Sequence, residues 1–385
     1  MTVASLLERC ERAMALGQDV LSYVDDAYAI AGPSALREKI VAAFDPFATP
    51  APAGTCPVVQ VCAVPEAAPA DLLDLVETGG ERIDIDVSLY PTATDGWSVW
   101  IGETRLVVTR KARTLFVLAP GSRLAGVFNA DPVSLEVDTM RLVKSLIALH
   151  CEARGMRLLH ASGIEFAGCS VLFAGDSRNG KTTMLLEAMA SFEAGMLSCD
   201  TSIVYEAANG LQVRGWPSNF SVSIGTMLDF SDLLAHLTPP MRKLGYREAW
   251  DIHPKQVLLA ADVAEGANWR IQPEGRLAAI VTLTLNPEGE IGLTPLSGAE
   301  LDEFLAGVTL GSADPLYPDW HGFWGKAPPP DARPVLRLGE RVREGELEAY
   351  AMQWAPPPQT LLRRIPMLDR IHRNTIAVAR TGGEG

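Results

Sequence analysis

The stretch Gly175-Asp176-Ser177-Arg178-Asn179-Gly180-Lys181-Thr182 satisfies the pattern G-x-x-x-x-G-K-[ST] at every fixed position, and no other feature of the chain restricts its fold as tightly. Such a loop works between a buried strand and the first turn of a helix. Its glycines let backbone N–H groups curl around an anion, its lysine reaches the outer phosphates as a point charge, and its hydroxyl holds Mg²⁺. The neighbouring residues supply that frame: Ser170-Val171-Leu172-Phe173-Ala174 reads as a strand entering the loop, and Thr183 to Phe192 as the helix leaving it. The pattern therefore points to a nucleotide site made by Gly175, Asp176, Ser177, Arg178, Asn179, Gly180, Lys181, Thr182 and Thr183. Asp176 has a second reading, in which its carboxylate closes the loop's own turn on backbone N–H groups.

Around the loop, short apolar runs alternate with turn signals. Arg157 to Phe166 is a strand pattern that turns at Ala167-Gly168 into the loop strand, so two strands precede the phosphate helix. Beyond the helix, Gly195-Met196-Leu197-Ser198-Cys199-Asp200 is a short strand ending in a carboxylate, which makes Asp200 the candidate for a second Mg²⁺-binding element. Further strands are predicted at Ser202 to Tyr205, Leu211 to Arg214, Phe220 to Ile224 and Leu277 to Leu285, with helices at Met227 to Leu237 and Ala299 to Leu310.

Upstream, residues 3–43 carry apolar positions at helical spacing and run into a proline- and alanine-rich stretch, Asp45-Pro46 to Ala53-Gly54. Two-residue alternation follows at Val58 to Val64, Ile83 to Tyr90, Trp97 to Val108 and Thr114 to Leu118. Helical periodicity then returns from Val133 to Ala153, before Gly155. Downstream, aromatics and prolines cluster at Tyr317 to Trp324, Pro328 to Pro330 and Pro356 to Pro358. The expected division is a helical lead-in over 1–45, a small β-rich region over 55–132, a P-loop domain over 133–312, and a Pro/aromatic-rich extension over 313–385, read as an irregular tail packed by its aromatic anchors.

Composition narrows the partners. With 47 acidic against 33 basic residues the net charge is -14, which opposes a polyanion and sets nucleic acid aside. Six scattered cysteines form no C-x-x-C pair, so neither a zinc site nor a disulfide framework is expected, and a cytoplasmic setting is the simplest. The first ten residues carry charges where a leader would need its apolar run. No uninterrupted apolar segment of about 18 residues occurs, so membrane insertion is not expected.

The residues flanking the loop carry a resemblance. Leu159-His160-Ala161-Ser162, the Gly175 to Thr182 loop, Leu197-Ser198-Cys199-Asp200 and the later Gly215-Trp216-Pro217 together resemble the HPr serine kinase/phosphorylase family, over roughly residues 135–310. The resemblance implies an α/β fold: a P-loop nucleotide-binding module of the HPr-kinase/phosphoenolpyruvate-carboxykinase-like type, here with a smaller N-terminal α+β region. It implies an ATP- and Mg²⁺-dependent kinase that moves the γ-phosphate to a serine or threonine hydroxyl of a protein or peptide. Lys181 would neutralise the transferring phosphate, Thr182 and Asp200 would bind Mg²⁺, and His160 would sit near the phosphates. A homo-oligomer is implied by the resemblance alone. Read without it, His160 is a hydrogen-bonded residue at the end of an apolar strand.

The pattern departs from the family at one position that bears on chemistry. The family presents two adjacent aspartates where this chain has Cys199 and Asp200, and a thiol neither accepts a proton nor binds Mg²⁺ as a carboxylate does. Either Asp200 does both jobs, or the chain is an ATP-binding module that serves as a nucleotide-dependent partner platform. Pro334-Val335 through Gly339-Glu340-Arg341 is only a faint echo of the bifunctional signature, so phosphorolysis is not expected. Arg242, Lys243, Arg247 and Lys255 are candidates for steering an acidic substrate, or for a solvated basic face. A motor or transport ATPase is disfavoured, since no LSGGQ-like signature is present.

Overall fold

The computed structural model describes residues 2–86, 94–192, 194–218, 220–251, 255–258, 263–264, 269–286, 292–311, 319–324, 336–355 and 365. It is a mixed α/β protein built on two large mixed sheets. Its contacts fall into two units, Met1–Met156 with Leu310–Val335, and Arg157–Thr309 with Leu336–Gly385.

In the first unit, α1 (Val3–Leu16) starts at Thr2, whose hydroxyl accepts the Ser5 N–H. The chain continues through β1 (Gln18–Tyr23), β2 (Asp26–Ala31), α2 (Ser34–Phe44), β3 (Thr49–Pro50), β4 (Val59–Val64), α3 (Ala70–Gly79) and β5 (Glu81–Asp86). It then adds β6 (Thr94–Ile101), β7 (Thr104–Thr109), β8 (Leu115–Ala119), β9 (Leu124–Phe128) and α4 (Pro132–Ala153). The sheet order is β3-β1-β2-β4-β9-β8-β7-β6-β5. Every residue of β7, β8 and β9 is buried, as expected for strands covered on both faces. Leu6 and Cys10 of α1 and Leu72, Leu73 and Val76 of α3 pack on one face. The 22-residue α4 rests on β4 and β9, and begins where the Asp131 carboxylate accepts the Ser134 N–H at 2.9 Å.

The second unit contains β10 (Arg157–Leu159), β11 (Ala161–Phe166), β12 (Cys169–Ala174), α5 (Lys181–Phe192), β13 (Gly195–Ser198), β14 (Ser202–Ala207) and β15 (Gly210–Gly215). There follow β16 (Phe220–Val222), α6 (Ile224–Asp229), α7 (Tyr246–Asp251), β17 (Gln256–Leu258), β18 (Glu274–Leu285), β19 (Gly292–Pro295), α8 (Gly298–Val308), β20 (Thr309–Leu310), α9 (Leu338–Arg343) and β21 (Glu348–Trp354). The main sheet runs β13-β11-β12-β18-β15-β14-β10-β20, and β16 and β17 form a separate pair. Its axis is β18: Cys169 to Ala174 of β12 run parallel along one side, while the other side pairs with β15 at 274–276 and with β21 at 279–285. Strand alternation separates two cores. Val171, Phe173, Ala279, Val281 and Leu283 face α5 and α6, whereas Leu172, Ala174 and Ile280 pack with Leu301 and Leu305 of α8.

Several boundaries differ from the sequence reading. The 1–45 lead-in is not wholly helical, because β1 and β2 form an antiparallel hairpin between α1 and α2. The helix expected to open the P-loop domain at 133 belongs to the first unit, which it joins through β4 and β9. The predicted helix at Met227 to Leu237 is α6 followed by a 3₁₀ segment, Ser231–His236, and Trp97 to Val108 is two strands joined at Gly102. The extension expected over 313–385 is divided: residues 319–324 lie in the first unit, and β21 is a strand of the second unit's sheet beside β18. Trp320 does anchor its segment, with its ring 5.0 Å from that of Phe116. Pro328 to Pro330, Pro334-Val335, Pro356 to Pro358 and the end of the Ile83 to Tyr90 run lie outside the described residues. Among the described residues, no helix is long and apolar enough to cross a membrane.

Candidate functional site

The segment from Gly175 to Lys181 joins the end of β12 to the start of α5. Its turn is closed by the main chain, Asn179 N–H donating to the Asp176 carbonyl at 3.2 Å. The turn is thus closed on the Asp176 carbonyl rather than on its carboxylate, the second of the two readings that the sequence leaves open. Arg178 takes a left-handed φ of 73° and Gly180 one of 89°. The first helical bond of α5 runs from Met184 N–H to the Gly180 carbonyl at 2.9 Å, so the N–H groups of Lys181 to Thr183 open the helix without partners in its own ladder. Asp176, Ser177 and Arg178 are exposed on the crest of the loop.

Lys181 is only 6% exposed. Its ammonium donates to the carbonyls of Gly175 at 2.8 Å and Asp176 at 3.0 Å. Burial pushes its pKa down to about 8; Asp200 and Asp176 oppose that shift, and Lys255 adds to it. Lys255 itself is lowered, by burial first and then by Arg178, against the pull of Asp200. Of the basic residues set apart in the sequence, Lys255 is one whose charge is felt by both Lys181 and His160.

His160 directly follows β10, and its backbone N–H donates to the Val308 carbonyl at 2.8 Å. Its Nε2 lies 3.6 Å from Oδ1 of the half-exposed Asp200. Burial lowers the imidazole's pKa, the Asp200 charge opposes this, and Lys181 and Lys255 reinforce it. Hydroxyls hold the turn that carries Asp200: Ser162 donates to the Cys199 carbonyl, and Ser202 donates to the Ala161 carbonyl at 3.2 Å. The Gly215-Trp216-Pro217 segment runs alongside, with Trp216 N–H donating to the Thr201 carbonyl at 3.1 Å.

Cys199, beside Asp200, is 3% exposed, and its thiol is directed at the Met196 sulfur, 3.5 Å away in the core. Burial, then the Asp200 charge, raises its pKa far above the ordinary thiol range. It is a neutral core residue. Thr182 donates its hydroxyl proton to the Ser221 carbonyl at 3.3 Å, which leaves the oxygen's lone pairs for a cation. The Thr183 hydroxyl is turned away from the loop and pairs with Thr226 Oγ1 at 3.0 Å, itself 2.8 Å from the Ser223 hydroxyl that caps α6. Of Thr183, the backbone N–H alone remains for a ligand.

One residue of the site carries no sequence signal near the motif. Trp354, at the end of β21, donates its indole N–H to the Asn179 carbonyl at 2.8 Å. Its ring fills the space beside Gly180, where a Cβ would fall 1.9 Å from Cζ2. A side chain at 180 is thus excluded twice, by the positive φ and by the indole.

No family model matches the chain, and no curated protein matches it. Among solved structures, the Hpr(Ser) kinase/phosphatase from Coxiella burnetii is similar at 15% identity, over 59% of this chain and 99% of that one, with a TM-score of 0.26. A score of that size carries no argument about activity.

Proposed function

We propose that the second unit binds ATP through the 175–183 loop and transfers its γ-phosphate to a hydroxyl of a protein or peptide. The observation that carries the reading is the Lys181 ammonium, buried beside a helix N-terminus with main-chain carbonyls as its hydrogen-bond partners. A buried cation there, with Lys255 and Arg178 adding to the positive field, is complementary to a polyphosphate.

The donor set fits Mg²⁺: Thr182, through lone pairs freed by its bond to Ser221, and the Asp200 carboxylate would hold it. Bound Mg²⁺ would supply charge neutralisation at the transferring phosphoryl group. Lys181 orients and neutralises the outer phosphates, and the open backbone N–H groups of the loop and of Thr183 bind them. Asp200 accepts the acceptor's hydroxyl proton, since the Cys199 thiol is directed into the core, and His160 beside Asp200 keeps that carboxylate oriented. Phosphoryl transfer depends mainly on positioning and charge neutralisation, so one carboxylate can serve where the related pattern has two.

A second reading, an ATP-binding module acting as a nucleotide-dependent partner platform, is favoured by Cys199 alone. The test is incubation with γ-labelled ATP, Mg²⁺ and a lysate of the host lacking the protein, beside Lys181→Ala and Asp200→Ala. A labelled band that requires both residues supports the kinase. ATP binding without any labelled band under these conditions supports the platform.

A further inference from the structure

The strand that ends at Trp354 is the last described strand of the second unit, and its final register pair is Leu285 with Trp354. Asn286 N–H donates to the Trp354 carbonyl at 2.8 Å, which pins the strand end in the sheet. The indole is fully buried. It has one polar atom, a donor, and that donor is given to a carbonyl of the phosphate loop rather than to a core group. The loop is thereby tied to a strand 175 residues away in sequence.

We propose that Trp354 is a positioning residue for the phosphate loop: its indole N–H holds the Asn179 carbonyl and so aims the Gly180 N–H at the bound phosphate. The inference rests on the nucleotide reading of the loop. In a trans peptide, the carbonyl and the following N–H point in opposite directions. Fixing the Asn179 carbonyl on Trp354 therefore fixes the Gly180 N–H on the side of the peptide turned away from the indole. Nothing intrinsic to the peptide holds it there, because glycine accepts either sign of φ at little cost and the 179–180 peptide can flip. A flip would present a carbonyl oxygen to the phosphate in place of an N–H, exchanging attraction for repulsion. The ring adds a second restraint by packing where a Gly180 side chain would stand.

The inference separates two uses of a buried tryptophan. One that only fills the core changes how many molecules are folded; one that sets the peptide changes how tightly each folded molecule holds phosphate. The test is calorimetric titration of the full chain with ATP and Mg²⁺, comparing the unaltered protein, Trp354→Phe, and protein carrying benzothienylalanine at 354, which keeps the indole outline and lacks the N–H. The expected result is a Kd raised about 3- to 10-fold in the isosteric protein, the worth of one hydrogen bond, with stoichiometry unchanged and the protein still fully folded at the temperature of the titration. Trp354→Phe weakens binding at least as much, and it removes the largest part of any ATP-induced change in tryptophan emission. An unchanged Kd in the isosteric protein overturns the inference, as does a loss confined to stoichiometry. Absence of ATP binding by the unaltered chain overturns the nucleotide reading, and the inference with it.

Discussion

The two units bury charge in different ways. In the first, the buried charges of Asp138 and Arg105 have side-chain partners of their own, whereas burial alone lowers the pKa of Lys144 to about 8. Asp138 accepts from Thr114 at 2.5 Å and from Arg141, and Thr114 in turn accepts from Asn129 at 2.7 Å. Arg105 donates to Ser98 at 2.9 Å, reaches Glu81 at 3.4 Å, and lies 5.7 Å from the Trp100 ring centroid. Away from the loop, the second unit pairs Glu165 with Arg270 and Glu274 with Arg214, while the buried Glu187 has its pKa raised by burial and by Asp229. At the loop, Lys181 is buried against main-chain carbonyls, and burial depresses Lys181, Lys255 and His160 alike. A charge that the fold compensates internally is architecture. A cation left to main-chain dipoles marks a place where an anion from outside completes the electrostatics.

Substitutions can break that comparison. The largest effect is expected for Lys181→Ala, which should lower phosphate transfer by about 10²–10³-fold and leave the unfolding midpoint unchanged or higher, because a buried charge is removed; kinetics with denaturant unfolding checks both. Gly180→Ala sets a methyl on the Trp354 indole and strains the backbone, so it should destabilise the second unit by about 2–4 kcal/mol. Hydrogen exchange should locate that loss in residues 157–309 and leave the first sheet protected. Thr114→Val removes the hydroxyl between Asp138 and Asn129 and should cost about 1–3 kcal/mol, with exchange quickened in α4 and β8 and ATP affinity unchanged.

The smallest effect is a pH slope. His321 is fully buried in the first unit, and its Nδ1 accepts the Phe323 N–H at 3.0 Å, so the ring is neutral. Burial holds its pKa down to about 3. Below about 6.5 the unfolded chain protonates this histidine and the native chain does not. Stability should therefore be lost as pH falls from 6.5 toward 3, by about 1 kcal/mol between pH 6 and 5. His321→Gln should flatten that part of the profile; an unchanged slope would assign it to other groups.

How much was legible follows from how local each signal is. The strand, loop and helix around Lys181 are contiguous, so the pattern alone located these elements, as it did the short strand that ends before Asp200. The β1–β2 hairpin was hidden because its turn, Val24 and Asp25 at φ of 45° and 68°, uses left-handed residues without the Asn-Gly or Asp-Gly pair that advertises one. Strand β21 was hidden between proline runs, and Trp354 meets Asn179 only through the parallel register with β18. The sequence placed Lys255 among four basic residues without distinguishing it. Burial next to Asp200 and Arg178 is a property of the fold and sets it apart.

The central claim is that the buried Lys181 ammonium belongs to a site completed by nucleotide phosphate. Calorimetric titration of ATP with Mg²⁺ into the full chain and into Lys181→Ala at pH 7 tests it most directly. The account predicts saturable one-site binding by the unaltered chain, weakened about 10- to 100-fold in the variant, as expected for losing hydrogen bonds to a charged group, with the melting temperature preserved. Equal affinity in the two proteins, or no binding by either, would contradict it.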